Sequence, residues 1–298
     1  MRTSRRHRLH VLTALALVAV VALPLSGCGW GSDGSSKTIT VAGSTTVLPL
    51  AEIAAEKYEA KTGNQVLVSG LGSSAGIEAV INGTADIASS SRDLTDEEAS
   101  HELVSTVIAH DGIAVIVNDS NPVKNVTLDQ LRDIYAGRIT NWKELGGPDL
   151  PIELVNRDEA SGTREAFRSI VMRGEDFDRS AAVLPGTGQV RDVVSRSAGA
   201  IGYISIGFVK SDYATTTVRT LSVDGVEATR DNVSSGKYPI SRDLYFFTNG
   251  DPQGVAYDYI RFVLSDEMSQ TIEDAGYIPV SWDQSGSGDG TSSGGEGK

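Results

Sequence analysis

Residues 38–63 read TITVAGSTTVLPLAEIAAEKYEAKTG, and this stretch decides the fold class. It opens with a β-branched run, passes through a Gly-Ser-Thr-Thr turn and continues as a helical pattern with Pro49 in its first turn. Apolar residues such as Leu50 and Tyr58 recur near helical spacing, and the pattern stops before Gly63. The segment therefore predicts a strand, a tight turn and a helix, in that order.

The same alternation of short β-branched runs and helical patterns continues along the chain. The predicted strands are Thr38–Ala42, Gln65–Ser69, Asp86–Ser89, Ile113–Asn118, Ile152–Asn156, Ile201–Ile206 and Leu244–Thr248. The predicted helices are Val47–Lys61, Ala75–Asn82, Leu128–Ala136, Arg164–Met172, Val190–Ser197 and Val255–Leu264. Such alternation predicts α/β layers with mostly parallel sheets. Because ligands bind beyond the carboxyl ends of strands in such sheets, we expect a site at the strand-to-helix turns.

Three of these turns share one composition of glycine and hydroxyl residues. They are Gly43-Ser44-Thr45-Thr46, Gly70-Leu71-Gly72-Ser73-Ser74-Ala75-Gly76 and Arg157-Asp158-Glu159-Ala160-Ser161-Gly162-Thr163-Arg164. Each offers close backbone approach, hydroxyl donors and the unpaired N–H groups of a helix N-terminus. A helix N-terminus carries about half a positive charge and is a natural anion site. For any single turn, Ser or Thr acting only as an N-cap is the competing explanation.

The third turn is poorly explained as a cap alone. A capping box would place Glu or Gln three residues after Ser161, where the chain has Arg164, and Arg157 lies just upstream. Cations at a helix N-terminus oppose the helix dipole, and a bound anion would remove that conflict. A surface ion pair of Arg164 with Asp158 or Glu165 is the alternative.

Two further segments place charged groups near strand ends. Ser89-Ser90-Ser91-Arg92-Asp93 adds hydroxyls and a guanidinium, whose fork suits tetrahedral oxyanions. Asp111 precedes the apolar run 113–117. A carboxylate beside an anion makes sense when the anion carries a proton, as hydrogen phosphate does and sulfate at neutral pH does not. Alternatively, Asp111 only pairs with Arg157 or Arg92, and the two roles can coexist.

The N-terminus has the layout of a secretory signal. Four arginines precede an apolar run that ends in Leu25-Ser26-Gly27-Cys28, and this run is too short to span a bilayer comfortably, which takes about 20 residues. We expect residues 1–27 to be a lipoprotein signal peptide. Cys28, the single cysteine of the chain, resembles the lipidated residue of a lipobox. Residues 28–37 are then a flexible tether, and residues 285–298, which lack aliphatic and aromatic side chains, are a disordered tail.

Charge and residue usage exclude several function classes. The chain carries −13, and removal of residues 1–27 with their four arginines leaves −17, which argues against nucleic acid and anionic membrane surfaces as partners. Four histidines and one cysteine argue against a transition-metal site, and we expect no cofactor. We also expect that the protein is not an enzyme, since neither a metal cluster nor an activated nucleophile is evident in the sequence.

Together, the motifs resemble the phosphate-binding proteins of Pst-type ABC transporters. The resemblance runs from about Thr38 to Trp282 and rests on the order and spacing of several short motifs. They are Gly43-Ser44-Thr45-Thr46, Gly72-Ser73-Ser74-Ala75-Gly76, Ser90-Ser91-Arg92, Asp111-Gly112-Ile113-Ala114-Val115-Ile116-Val117-Asn118, Leu131-Arg132-Asp133-Ile134-Tyr135-Ala136-Gly137 with Asn141-Trp142, Ser161-Gly162-Thr163-Arg164 and Ala200-Ile201-Gly202-Tyr203-Ile204-Ser205.

The resemblance implies a two-lobed periplasmic-binding-protein fold of type II, each lobe a mostly parallel sheet flanked by helices. Residues 38–117 and 244–284 would form lobe 1 and residues 118–243 lobe 2, with crossings near Asn118 and Asp243. Phosphate would lie in the cleft between the lobes. The resulting ligand set is Ser44, Thr45, Thr46, Ser73, Ser74, Ser91, Arg92, Asp111, Arg157, Ser161, Gly162 and Thr163.

One departure from the family pattern concerns the proton acceptor. Some members carry Asp where this chain has Ser91, so the accepting role is assigned here to Asp111. The resemblance further implies a monomer held by its lipid anchor on the outer face of the bacterial cytoplasmic membrane, which delivers phosphate to the membrane subunits of an ABC importer. The alternatives are a binder of sulfate or molybdate, and a surface protein for signalling or adhesion with the same fold.

Overall fold

The computed structural model describes residues 37–209 and 218–284. Its strands are β1 Thr38–Gly43, β2 Gln65–Gly70, β3 Ile87–Ser90, β4 Leu103–Asn118, β5 Asn125–Val126, β6 Glu153–Arg157, β7 Ala182–Leu184, β8 Ala200–Ser205, β9 Val218–Thr220, β10 Ser222–Val223, β11 Ser241–Asn249 and β12 Ile278–Pro279. Its helices are α1 Leu48–Thr62, α2 Ser73–Ile81, α3 Asp96–Ala99, α4 Leu128–Tyr135, α5 Gly162–Phe167, α6 Thr187–Arg196, α7 Arg230–Ser234, α8 Gly254–Val263 and α9 Asp266–Asp274. Short helical turns cover Trp142–Leu145, Arg168–Met172, Ile206–Phe208 and Trp282–Gln284.

Within these residues, one mixed sheet of ten strands organises the fold. Its main path runs β2-β1-β3-β11-β4-β8-β6-β7. Strands β2, β1 and β3 are parallel at one end, and β8, β6 and β7 are parallel at the other. The centre is antiparallel, because β4 and β11 pair in opposite directions over most of their length. The parallel arrangement predicted from the sequence is therefore found at both ends of the sheet, and the centre differs from it.

The hydrophobic cores divide at these two long strands. Of the two largest cores, one gathers buried residues from 39–109 and 244–280, and the other gathers residues from 113–240. Strand β4 leaves the first core after Ala109 and enters the second at Ile113, while β11 begins next to Ile240 and returns to the first core at Leu244. The chain therefore passes between these two cores twice, once within β4 and once at the start of β11.

Each predicted strand and helix overlaps an observed element. Helix α1 buries Leu50, Ala54 and Tyr58 on one face and ends at Gly63, whose φ of 74° suits glycine. Two substantial elements were not predicted. The first half of β4, from Leu103 to Gly112, mixes polar and apolar residues, and α9 is mostly polar along Asp266–Asp274.

Several predictions fall on residues that the structure does not describe. The signal peptide at 1–27, the lipidation of Cys28, the tether up to residue 36 and the tail at 285–298 all lie outside the described ranges. Among the described helices, none combines the length and the apolar character needed to cross a membrane.

Candidate anion-binding site

Four threonine hydroxyls from different segments meet around one guanidinium. Thr45 and Thr46 follow β1, Thr163 lies in α5, and Thr187 begins α6. The Oγ1 atoms of Thr45 and Thr187 are 3.0 Å apart, and those of Thr46 and Thr163 are 3.1 Å apart. Arg157, the last residue of β6, donates from Nη1 to Thr187 Oγ1 at 3.1 Å and from Nη2 to Thr45 Oγ1 at 3.2 Å. These five residues are called the threonine cluster below.

Arg157 is almost fully buried, yet no carboxylate forms an ion pair with it within the described ranges. Its remaining bonds go to the backbone carbonyls of Leu184 at 3.1 Å and Pro185 at 2.9 Å. Burial lowers the pKa of Arg157, and the nearby charge of Asp158 opposes that shift. A buried cation with hydroxyl and carbonyl partners retains its charge for an anion. Thr45 and Thr187 both accept from Arg157 and also share one hydrogen bond, so one of their two hydroxyl protons stays free to donate.

A second group, the serine cluster, consists of Ser44, Ser73 and Ser91 and lies against Gly162. Ser44 Oγ donates to Ser91 Oγ at 3.0 Å, and the backbone N–H of Ser91 donates to Ser73 Oγ at 3.1 Å. A Cβ atom on residue 162 would lie 2.3 Å from Ser73 Oγ and 2.8 Å from Ser91 Oγ. Only glycine allows this close approach, so the turn after β6 is held directly against the serine cluster.

A neighbouring contact joins the same two segments through the backbone. Gly72 has a φ of 99°, and a Cβ there would lie 2.7 Å from the carbonyl oxygen of Ala160. The N–H of Ser74 donates to that carbonyl at 3.2 Å. Both glycines of these turns are therefore required by geometry as well as by composition.

Ser161 caps α5, because its Oγ accepts from the N–H of Arg164 at 3.2 Å. The capping explanation thus applies to this residue, and it leaves the Ser161 hydroxyl proton available to another acceptor. The alternative ion pair is not formed: within the described residues Arg164 pairs with neither Asp158 nor Glu165, and its guanidinium lies 5.1 Å from the ring centre of Phe177.

Arg92 and Ser74 bond each other, and the partners of Arg92 within the described residues do not include the threonine cluster. Arg92 forms a two-pronged ion pair with Glu98, with Nη1–Oε2 at 2.6 Å and Nη2–Oε1 at 2.7 Å, and donates to Ser74 Oγ at 3.0 Å. Arg92 holds the pKa of Glu98 below its ordinary value, against the raising effect of burial. A guanidinium neutralised in this way has little charge left for a ligand. The assignment of both residues as ligands stays a prediction that these contacts do not favour.

Asp111 is fully buried, and both of its carboxylate oxygens have partners. Ser205 Oγ donates to Oδ1 at 2.7 Å, and Arg242 donates to Oδ2 from Nε at 3.1 Å and from Nη2 at 2.9 Å. The pairing with Arg157 or Arg92 that the sequence allowed is not formed, because Arg242 takes that place. Burial raises the pKa of Asp111, and Arg242 and the Ser205 hydroxyl counteract this effect. The role of Asp111 as acceptor of a ligand proton stays a prediction.

Two residues of the site were not predicted from the sequence. Thr187 contacts three members of the threonine cluster, and Arg242 Nη2 lies 3.4 Å from Thr46 Oγ1. The segment Gly186-Thr187-Gly188 before a helical pattern repeats the composition of the predicted turns and could have revealed the first residue. Arg242, a lone cation at the start of an aromatic-rich run, carries no such local signal.

Four helix N-termini adjoin these clusters. Helix α1 follows Thr45 and Thr46, α2 starts at Ser73, α5 starts at Gly162, and α6 starts at Thr187. Their aligned peptide dipoles add partial positive charge to the guanidinium of Arg157. The combined donors are buried hydroxyls, backbone N–H groups and one cation, which is the chemistry of an oxyanion site. No group of three or more His, Cys, Asp or Glu suited to a metal occurs among the described residues.

A separate cavity of about 710 Å³ lies beside Arg92 and Arg242. Three carboxylates, those of Asp93, Glu165 and Asp243, contribute to its lining. Their charge would repel an anion, so we assign the anion site to the threonine and serine clusters rather than to this cavity.

Comparison with known proteins identifies the family of the chain. The model of the PBP superfamily domain matches residues 30–267. The phosphate-binding protein PstS of Bacillus subtilis is 34% identical over 254 residues, covering 84% of this chain and 83% of that protein. The chain belongs to the PstS family. A PstS of Borreliella burgdorferi is 31% identical over 258 residues, covering 84% of this chain and 92% of its own length.

Solved structures related to PstS place the fold in the same family. A phosphate ABC transporter substrate-binding protein from Clostridium perfringens with bound phosphate has a TM-score of 0.77 and 38% identity, covering 82% of this chain and all of its own. An ABC-type phosphate transport receptor from Vibrio cholerae has a TM-score of 0.68 and 35% identity, with the same coverage. The predicted two-lobed periplasmic-binding-protein fold is thereby confirmed.

Proposed function

We propose that this protein works outside the cytoplasm, where it captures inorganic phosphate between its two lobes and delivers it to an ABC importer. The observation that carries the proposal is Arg157, a buried guanidinium that bonds hydroxyls and carbonyls instead of a carboxylate. A tetrahedral oxyanion would accept from this cation and from the hydroxyls around it. The relatives named phosphate-binding protein PstS and the phosphate-bound structure from Clostridium perfringens support phosphate as that anion.

The direct ligands in this proposal come from both sides of the divided core. Ser44, Thr45, Thr46, Ser73 and Ser91 contribute from segments next to the first core, and Arg157, Ser161, Gly162 and Thr163 contribute from the turn after β6. Lobe 1 would comprise residues 38–117 and 244–284, and lobe 2 residues 118–243. Because the ligand contacts both sides, binding would favour the arrangement in which the two sides meet.

Attachment to the cell surface is part of the same proposal. The Arg-rich and apolar start of the chain and Cys28 at the end of the apolar run support export and lipidation. The protein would then be a monomer on the outer face of the cytoplasmic membrane. Mass spectrometry of the purified mature protein tests this step: a diacylglyceryl group on an N-terminal Cys28 is expected, and an unmodified Cys28 would contradict it.

A second candidate ligand is another tetrahedral oxyanion, such as sulfate or molybdate. The observation that favours it is the state of the carboxylates: position 91 is Ser, and both oxygens of Asp111 already accept hydrogen bonds. A site without a free proton acceptor discriminates less strongly between hydrogen phosphate and sulfate.

Calorimetric titration separates the two candidates. The full chain is purified, stripped of bound anions by dialysis and titrated at neutral pH with phosphate and then with sulfate. We expect saturable binding of phosphate with one site per chain, and binding of sulfate that is at least tenfold weaker. Equal affinities would favour the second candidate, and binding of neither anion would contradict the proposed function. Arg138→Gln is a suitable control, because Arg138 is exposed and pairs with Asp133 and Glu175 at the surface.

A further inference from the structure

Arg242 occupies a special place in the fold, since it lies where the chain passes from one core to the other. It is the cross-strand partner of Asp111 in the antiparallel pairing of β11 with β4. The preceding buried residue, Ile240, belongs to the second core and the following one, Leu244, belongs to the first. The side chain of Arg242 is only 4% exposed and that of Asp111 is fully buried. This buried ion pair therefore lies at the point where the chain passes between the two cores.

The guanidinium of Arg242 contacts both clusters of the anion site. Nη1 donates to the backbone carbonyl of Ser91 at 3.1 Å, which places it beside the serine cluster. Nη2 donates to Thr46 Oγ1 at 3.4 Å, which places it beside the threonine cluster. Nε and Nη2 both donate to Asp111 Oδ2 and so fix the plane of the fork. Asp111 is itself held by the Ser205 hydroxyl at 2.7 Å.

These contacts favour a direction of the Thr46 hydroxyl proton that points away from Arg242. An oxygen that accepts from a guanidinium directs its own O–H elsewhere, and the other hydroxyl neighbours of Thr46 Oγ1 are Thr163 and Thr187, at 3.1 and 3.5 Å. The backbone of Thr46 is fixed too, because its carbonyl accepts from Tyr277 at 2.7 Å. Thr46 is thus oriented as a donor toward the threonine cluster.

We propose that Arg242 is a positioning residue for anion capture, which orients the Thr46 hydroxyl as a donor while Asp111 serves as the anchor of Arg242. The inference rests on the proposed function and adds a residue that acts through Thr46 instead of touching the ligand. It also gives Asp111 a role as an anchor, in which Asp111 does not accept the proton of the ligand. Burial lowers the pKa of Arg157, and the positive charge of Arg242 adds a smaller effect in the same direction. The pairing with Asp111 limits the repulsion between the two guanidiniums.

The test replaces the charged pair without leaving a buried charge. Removal of one partner alone would strand the other in the core, which is strongly destabilising, whereas Asp111→Asn with Arg242→Gln keeps the net charge and the approximate shape. Phosphate dissociation constants are measured by calorimetry for the wild type, the double variant, Thr46→Val and the triple variant. The four values form a cycle that reports whether Arg242 acts through Thr46.

We expect the double variant to bind phosphate at least threefold more weakly than the wild type. The loss should be smaller when Thr46 is already Val, because the hydroxyl that Arg242 orients is then missing. A dissociation constant of the double variant within threefold of the wild type overturns the inference, and so does a loss that is equally large in the Thr46→Val background. If the double variant does not fold, Arg242→Lys replaces it: the charge stays beside Asp111, the fork is lost, and the same threefold criterion applies.

Two comparisons keep the outcomes distinct. Trp142→Phe removes the buried hydrogen bond from Nε1 to the carbonyl of Gly199 at 2.9 Å in the second core, so it lowers thermal stability without touching the site. If it weakens phosphate binding as much as the double variant does, the effect is general destabilisation and the inference fails. A wild type that takes up no phosphate overturns both the proposed function and this inference, whereas normal binding by every variant overturns this inference alone.

Discussion

The substitution Gly162→Ala tests the contact between the turn after β6 and the serine cluster. The added methyl carbon would lie 2.3 Å from Ser73 Oγ and 2.8 Å from Ser91 Oγ, where ordinary contacts begin at 3.4 Å. The oxygens of Ser73 and Ser91 would therefore have to move away by up to roughly 1 Å, and such overpacking of a tight interior is destabilising. Rotation of Ser73 away from the methyl would break the hydrogen bond that its Oγ accepts from the N–H of Ser91.

The magnitude follows from these two costs. Overpacking a tight contact costs about 1–3 kcal/mol, and leaving a buried N–H without a partner costs a similar amount. The turn can relieve the clash by moving away from the serine cluster. The free-energy cost then falls on the approach of these two segments around the ligand, and so on the affinity for phosphate. We therefore expect the phosphate dissociation constant to rise about 5- to 150-fold, which corresponds to about 1–3 kcal/mol.

Calorimetric titration with phosphate measures this effect, and thermal unfolding without phosphate provides the second readout. Alanine in place of glycine in the first turn of a helix favours the helix by about 0.5–1 kcal/mol, so the unliganded melting temperature should stay level or rise. Gly188→Ala is the matched control, since it makes the same change in the first turn of α6 and a Cβ there meets nothing within 4 Å. Equal phosphate affinities of the two variants, within twofold, would refute the reasoning.

Four further predictions address individual groups. Arg157→Ala should weaken phosphate binding by about 100-fold or more with the fold intact, since hydrogen bonds to charged groups contribute about 1.5–3 kcal/mol each; calorimetry and circular dichroism check both parts. Ser161→Ala removes a donor and a cap worth about 1 kcal/mol, so binding should fall about tenfold and the melting temperature by a few degrees. Thr187→Val keeps the shape but deprives Arg157 of a partner, and a titration should show a loss of about tenfold. The hydrogen bond to Asp243 raises the pKa of His110. The stabilisation of the fold by this pair is therefore complete below about pH 6.5 and is lost as the pH rises through the raised pKa. The melting temperature of the wild type minus that of His110→Asn should decline from pH 6 to pH 9, and a difference that does not change with pH would contradict this.

Elements with strong local patterns could be predicted from the sequence, and elements that depend on distant partners could not. Strand β1, its turn and α1 carry a β-branched run, a glycine and apolar residues near helical spacing within one segment, so nearby residues suffice to define them. The first half of β4 contains Ser105, Thr106 and His110, which read as polar until β11 is paired beside them. Helix α9 is polar apart from Met268 and Ile272, and packing against the first core decides its state.

The same distinction applies to the candidate site. The hydroxyl-rich turns of Thr45, Ser73 and Thr163 carry their chemistry in their composition, and the structure brings all three to one place. Arg92 and Arg242 show the opposite case. Both are single cations at strand ends, and only the folded chain reveals that Arg92 is neutralised by Glu98 while Arg242 reaches Thr46. Residue type therefore predicted the chemical class of the ligand better than it predicted which arginine lies at the site.

The most direct test of the account is a crystal structure of the protein grown with phosphate. We predict that the anion lies within about 2.7–3.2 Å of the Arg157 guanidinium and of the hydroxyls of Thr45, Thr46 and Thr163, with Asp111 still bonded to Arg242. A phosphate bound instead in the cavity beside Asp93 and Asp243, or a site with no contact to Arg157, would contradict the account.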